Sequence, residues 1–97
     1  MIVERVTFNV KPGCMEKLIE LIKSENAISS FPHKWRMYSP GFGKYDVFAM
    51  EFEFESLAEL EKFWPVFFAR PSAAEYEQKW NEFVLPGGTN ETWYLEE

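Results

Sequence analysis

From Asp46 to Glu55 the side chains alternate without a break, with Phe48, Met50, Phe52 and Phe54 set against Val47, Ala49, Glu51 and Glu53. Period two puts the bulky apolar row on one side of an extended segment and the more polar row on the other. A strand of this kind is stable only with partner strands beside it and an apolar layer over its phenylalanines. The partners are legible. Ile2, Val6, Phe8 and Val10 share one face of an opening strand, with Glu4 as the exception, while Arg5, Thr7 and Asn9 share the other. Lys34 to Ser39 reads as a strand of mixed character. Ser39-Pro40-Gly41-Phe42-Gly43 is turn chemistry, so this segment and the strand from Asp46 form a hairpin. Leu85-Pro86-Gly87-Gly88 reads as a stop, and Thr92 to Leu95 as a short final strand.

The covering layer is helical. Met15, Leu18, Ile19 and Ile22 recur at i, i+3, i+4 and i+7 after the break at Lys11-Pro12-Gly13, which makes one apolar stripe. Ser56 followed by Glu59 is a capping box opening a second helix. Leu57, Leu60, Phe63, Trp64 and Phe67 form its stripe, and Pro65 is expected to kink or restart it. Pro71 suits the first turn of a further helical segment carrying Tyr76, Trp80, Phe83 and Val84. The order is β-α-β-β-α-β over a single domain, residues 1–97. This predicts an α+β, ferredoxin-like fold: a four-stranded antiparallel sheet with helices on one face.

The other face is free of helices. It presents Val3, Arg5, Thr7, Asn9, Val47, Ala49, Glu51 and Glu53, because parity divides each strand. Three uses of such a face are possible: wet, bound to RNA, or packed on a second sheet. RNA is excluded by residues. Lys44-Tyr45-Asp46-Val47-Phe48-Ala49 lacks the glycines of an RNA-recognition strand, and its phenylalanines point the wrong way. Glu51 and Glu53 would meet phosphates. The net charge of −6 opposes nucleic acid and anionic membranes alike. The longest apolar run, Phe63 to Ala69, is far below the ~20 residues of a membrane span. One cysteine, Cys14, permits no internal disulfide, and the opening residues lack a signal-peptide layout, so a cytoplasmic protein is expected. One histidine, His33, and no cluster at ligand spacing argue against a metal. His33 reads as a loop residue and Cys14 as the start of the first helix, neither with a partner that would make a catalytic pair.

Lys11-Pro12-Gly13 after the first strand, the Met15–Ile22 helix, the Tyr38-Ser39-Pro40-Gly41 approach to the hairpin, and Phe52-Glu53-Phe54-Glu55-Ser56-Leu57-Ala58-Glu59 carry a resemblance. Across nearly its whole length the chain resembles the dimeric α+β barrel superfamily, and within it NIPSNAP-type and antibiotic-biosynthesis-monooxygenase-type small proteins. That resemblance implies a homodimer in which two sheets pack face to face. The dimer face would hold Arg5, Thr7, Asn9, Arg36, Glu51 and Glu53, with the arginines paired to Glu51 or Glu53 within or across subunits, since buried charges need partners.

Relatives in the superfamily often keep a ligand cleft between sheet and helices. Trp64, Phe67, Phe68, Tyr76 and Trp80 would line it here, with Tyr38, Tyr76 and Arg70 as polar tips, suiting a flat, hydrophobic, oxygenated molecule. Haem-degrading members use an Asn on the first strand, a Trp in the second helical region and a His beyond it. Trp64 matches the second alone. Asn9 has the opposite parity, and no His lies between Trp64 and Trp80, so haem is not expected and no cofactor is implied. Two readings stand open. One is a small-molecule-binding dimer, a cofactor-independent monooxygenase or isomerase. The other is a non-catalytic dimerisation or ligand-sensing module whose clefts are packed shut.

Overall fold

A computed structural model describes residues 1–96. The elements run β1 (Ile2–Val10), α1 (Met15–Ser24), α2 (Asn26–Ser29), β2 (Trp35–Tyr38), β3 (Val47–Phe54), α3 (Leu57–Phe68), α4 (Ala73–Phe83) and β4 (Val84–Tyr94). They form one four-stranded antiparallel sheet in the order β2-β3-β1-β4, with the helices on one side: the ferredoxin-like α+β arrangement read from the sequence. Register sets Phe8 opposite Phe48, Val6 opposite Met50 and Glu4 opposite Phe52. The alternating phenylalanines therefore share one face, and the helices close over it.

Phe48, Phe52, Phe54, Leu18, Ile22 and Val10 are fully buried. Phe31, from the segment after α2, sits among Phe52, Phe54 and Phe63 at centroid distances of 5.3, 5.2 and 5.1 Å, each edge to face. Edge-to-face contact sets the positive rim of one ring against the negative face of the next, which adds to the area they bury.

Three local expectations are corrected. Gly87-Gly88 do not end the extended structure, because β4 follows α4 directly and runs eleven residues to Tyr94. Both glycines lie at positive φ, 105° and 113°, where the β1–β4 register shifts between Thr7 and Asn9. They are the material of a bulge rather than a stop. Pro65 does not restart α3, which is continuous from Leu57 to Phe68. The amide it lacks would have served the carbonyl of exposed Glu61, which water can serve instead. Pro71 precedes the Ser72 N-cap of α4 rather than standing in its first turn. Half of the predicted capping box forms. Ser56 Oγ accepts from the Glu59 amide at 3.2 Å, whereas Glu59 Oε1 accepts from Glu55 N, 3.4 Å away, and lies 2.9 Å from His33 Nε2.

Candidate functional site: an aromatic cavity with a buried carboxylate

Between the helix-facing side of the sheet and helices α3 and α4 lies a cavity of about 400 Å³. Parity and helical spacing build it together. Val6 and Phe8 of β1 and Met50 and Phe52 of β3 form its floor. Trp64, Phe67 and Phe68 descend from one turn of α3, and Tyr76 and Trp80 face them from α4. The rings form a connected wall: Phe52–Trp64 at 5.3 Å, Trp64–Phe67 at 5.4 Å, Phe67–Tyr76 at 5.7 Å, Tyr76–Trp80 at 6.0 Å and Trp80–Phe8 at 4.8 Å. Exposed Phe68, Glu77, Asn81 and Asn90 stand at the rim. The rings line the space between sheet and helices.

The polar group at the base is Glu4, only 3% exposed. Its two carboxylate oxygens are served separately. Trp64 Nε1 donates to Oε1 at 2.7 Å, and Asn90 Nδ2 donates to Oε2 at 3.2 Å. Glu4 is the residue that interrupts the apolar parity of β1. A charged side chain on a core-facing row was the signal for it, because such a group persists only where polar partners meet it. Asn90 left no signal, since it falls between the stop read at Gly87-Gly88 and the strand read from Thr92.

Of the seven residues expected around the cleft, five line it: Trp64, Phe67, Phe68, Tyr76 and Trp80. Tyr38 and Arg70 do not, and both placements are corrections. Tyr38 pairs with Ala49 on the helix-free face, and its hydroxyl donates to Glu51 Oε1 at 3.0 Å. Parity decides this, because Trp35 stacks on Phe52 beneath the helices and Tyr38 is three residues further on. Arg70 turns back from the end of α3. Its guanidinium lies 4.2 Å over the Phe67 ring, Nη1 pairs with Glu25 Oε1, and Nε donates to the Phe67 carbonyl. Burial alone would raise the Glu25 pKa. The Arg70 hydrogen bond and charge, with the Ala27 amide, outweigh it and hold the carboxyl below the usual range. Tyr76 is pushed the other way, well above an ordinary phenol, first by burial and then by the Glu25 charge. It stays protonated across the physiological range, a neutral ring in the cavity wall.

The residues expected on the dimer face, Arg5, Thr7, Asn9, Arg36, Glu51 and Glu53, all lie on the helix-free side by register. The charges there pair within the chain. Arg36 Nη1 reaches Glu53 at 3.1 Å, Arg36 Nε reaches Glu51 at 3.3 Å, and Arg5 stands 3.8 Å from Glu51. The Glu53 hydrogen bond is the largest influence raising the Arg36 pKa. Cys14 is the N-cap residue of α1 and makes no side-chain cap bond. Among the described residues, no group of three or more His, Cys, Asp or Glu side chains is placed to hold a metal ion, and no helix is long and apolar enough to cross a membrane.

Fold and site together define the class: a ferredoxin-like α+β domain holding an aromatic cavity between its sheet and its helices. No family model matches the chain, and no curated protein matches it. Solved structures do. Protein Atu4242 from Agrobacterium tumefaciens superposes with a TM-score of 0.85 at 15% identity, covering 97% of this chain and 92% of that one. An uncharacterized NIPSNAP domain protein from Burkholderia xenovorans gives 0.84 at 11%, covering 99% and 95%. An antibiotic biosynthesis monooxygenase gives 0.66 at 14%, covering 100% of both chains. The neighbours are thus of the two kinds that the strand and helix motifs resemble, and what they share with this chain is the fold.

Proposed function

We propose that this protein is a homodimeric small-molecule-binding α+β barrel, and that the cavity under α3 and α4 takes a ligand with a flat apolar body. The cavity carries the reading. Its volume of about 400 Å³ lies within the roughly 300–1,000 Å³ typical of ligand pockets, and such sites combine apolar walls with a few convergent polar groups. Glu4 and Asn90 are those groups here. The test is a thermal-shift panel of aromatic compounds. A ligand that binds the native state alone adds about 2.7 kcal/mol at a hundred times its Kd, so a clear rise in Tm is expected for at least one chemotype. A panel without any shift, with Trp64→Ala melting unchanged in its presence as well, overturns the reading.

A second, catalytic reading has one observation in its favour. Glu4 presents a carboxylate to an apolar chamber, where it would accept a proton from a bound substrate, as a cofactor-independent monooxygenase or an isomerase requires. Turnover of a bound compound that disappears in Glu4→Gln while binding persists is the expected outcome. Turnover retained in that variant removes Glu4 from the chemistry.

A further inference from the structure

The charge around the cavity is one-sided. Glu4 and Glu77 are acidic, and no lysine, arginine or histidine is among the lining residues. Two basic groups stand just outside the lining, each in contact with a residue that lines it. Arg70 is held by Glu25 behind the Phe67 ring. Lys11 lies in an adjoining hollow that shares Phe8, Trp80 and Asn81 with the cavity, and its Nζ donates to the Asn81 carbonyl at 3.3 Å. Glu4 is buried against two neutral donors, and among the described residues no cation lies within ion-pair distance of it. A carboxylate withdrawn from water and met only by neutral donors is under-compensated, and a cation brought to it recovers that cost. The rings around it act in the same sense, because the π faces of Trp and Tyr attract positive charge most strongly where water is excluded.

We infer that the cavity selects cationic ligands: an amine, protonated at neutral pH, on a flat apolar body, with the ammonium against Glu4 and the body among Trp64, Phe67, Tyr76 and Trp80. The inference rests on the proposed reading of the cavity as a ligand site and adds the charge of what enters it. Ligands bearing a carboxylate or phosphate are rejected, because they would face Glu4 with no cation between.

Three indoles of similar size and different charge decide it: tryptamine, tryptophol and indole-3-acetate, titrated by isothermal calorimetry at pH 7 and low salt. Tryptamine binds about tenfold or more tighter than tryptophol, as a charge-assisted bond to a desolvated carboxylate requires, and indole-3-acetate binds weakest. Glu4→Gln lowers tryptamine to the affinity of tryptophol and leaves tryptophol unchanged. Glu77→Gln, at the exposed rim, reduces tryptamine binding only about two- to threefold. Tryptophol or indole-3-acetate equalling tryptamine overturns the inference while leaving the ligand site standing. A tryptamine preference that survives Glu4→Gln overturns it too. If none of the three binds, the inference falls, and the ligand-site reading falls with it only where the thermal-shift panel is also without a shift. The order of affinities in the unmutated protein is decisive even if Glu4→Gln fails to fold.

Discussion

Gly88 does its work through its backbone. It sits at φ 113°, and a Cβ there would overlap the Thr7 carbonyl across the β1–β4 ladder. Gly88→Ala is therefore expected to cost about 2–4 kcal/mol, combining strain at positive φ with a backbone clash. Gly13→Ala, at φ 80° with open space around it, should cost only about 1 kcal/mol; urea denaturation of both variants checks the contrast. Glu25 allows a second prediction. Its folded-state pKa is depressed, so its contribution to stability is present above the ordinary carboxylate pKa and is lost as pH falls through the lowered one. Arg70→Leu is expected to destabilise by roughly 3 kcal/mol at pH 7, because it leaves a buried carboxylate unpaired. The gap to the parent protein should narrow as the solution is acidified, because Glu25 without Arg70 protonates first and is relieved of its unpaired charge; an unchanged gap at low pH would mean that Arg70 acts through packing on Phe67 alone. At this scale the sequence was half legible. Glu4 announced itself by breaking a parity, whereas nothing local to Arg70 told that its partner stands 45 residues earlier.

Elements follow from local pattern where the pattern is strict. The period-two run of β3 and the i, i+3, i+4 stripe of α1 each fold as read, because both periodicities are properties of a few consecutive residues. The start of α3 is likewise local. Ser56→Ala should cost about 1 kcal/mol through loss of the bond to the Glu59 amide, and a thermal melt unchanged by it would show that α3 is held by packing alone. β4 was read short because Pro86-Gly87-Gly88 is ordinary turn chemistry. What makes those residues a strand is β1, whose opposite edge is already paired with β3 and whose near edge offers an open ladder. β2, four residues long and of mixed character, illustrates the converse. Arg36 reads onto the helix-free face and Tyr38 into the cleft, yet the two share a parity, and with Trp35 stacked on Phe52 both lie on the helix-free face.

At the scale of the whole molecule, the helix-free face bears on the proposed dimer. Arg5, Arg36, Glu51 and Glu53 already pair within the chain, so covering those four leaves none of them uncompensated. Val3 and Ala49 are nearly buried there, while Trp93, paired with Val3, is 57% exposed. Two such faces in contact would bury on the order of 1,200 Å² or more. Light scattering is expected to give twice the chain mass, and Ala49→Arg, which thrusts an unpaired charge into the middle of that contact, should give monomers that keep their far-UV spectrum. A monomeric parent protein would remove the dimer from the proposal. The sequence by itself determined the faces and the conformation of β1, β3 and α1, since alternation and helical spacing act over a few residues of one chain. The tertiary structure alone decided that Trp64 donates to a carboxylate 60 residues before it, that Asn90 completes that site, and that the aromatic rings enclose a cavity. These depend on the register of β4 and on how far α3 and α4 stand from the sheet, which are set by the sum of all contacts and by no single stretch of residues.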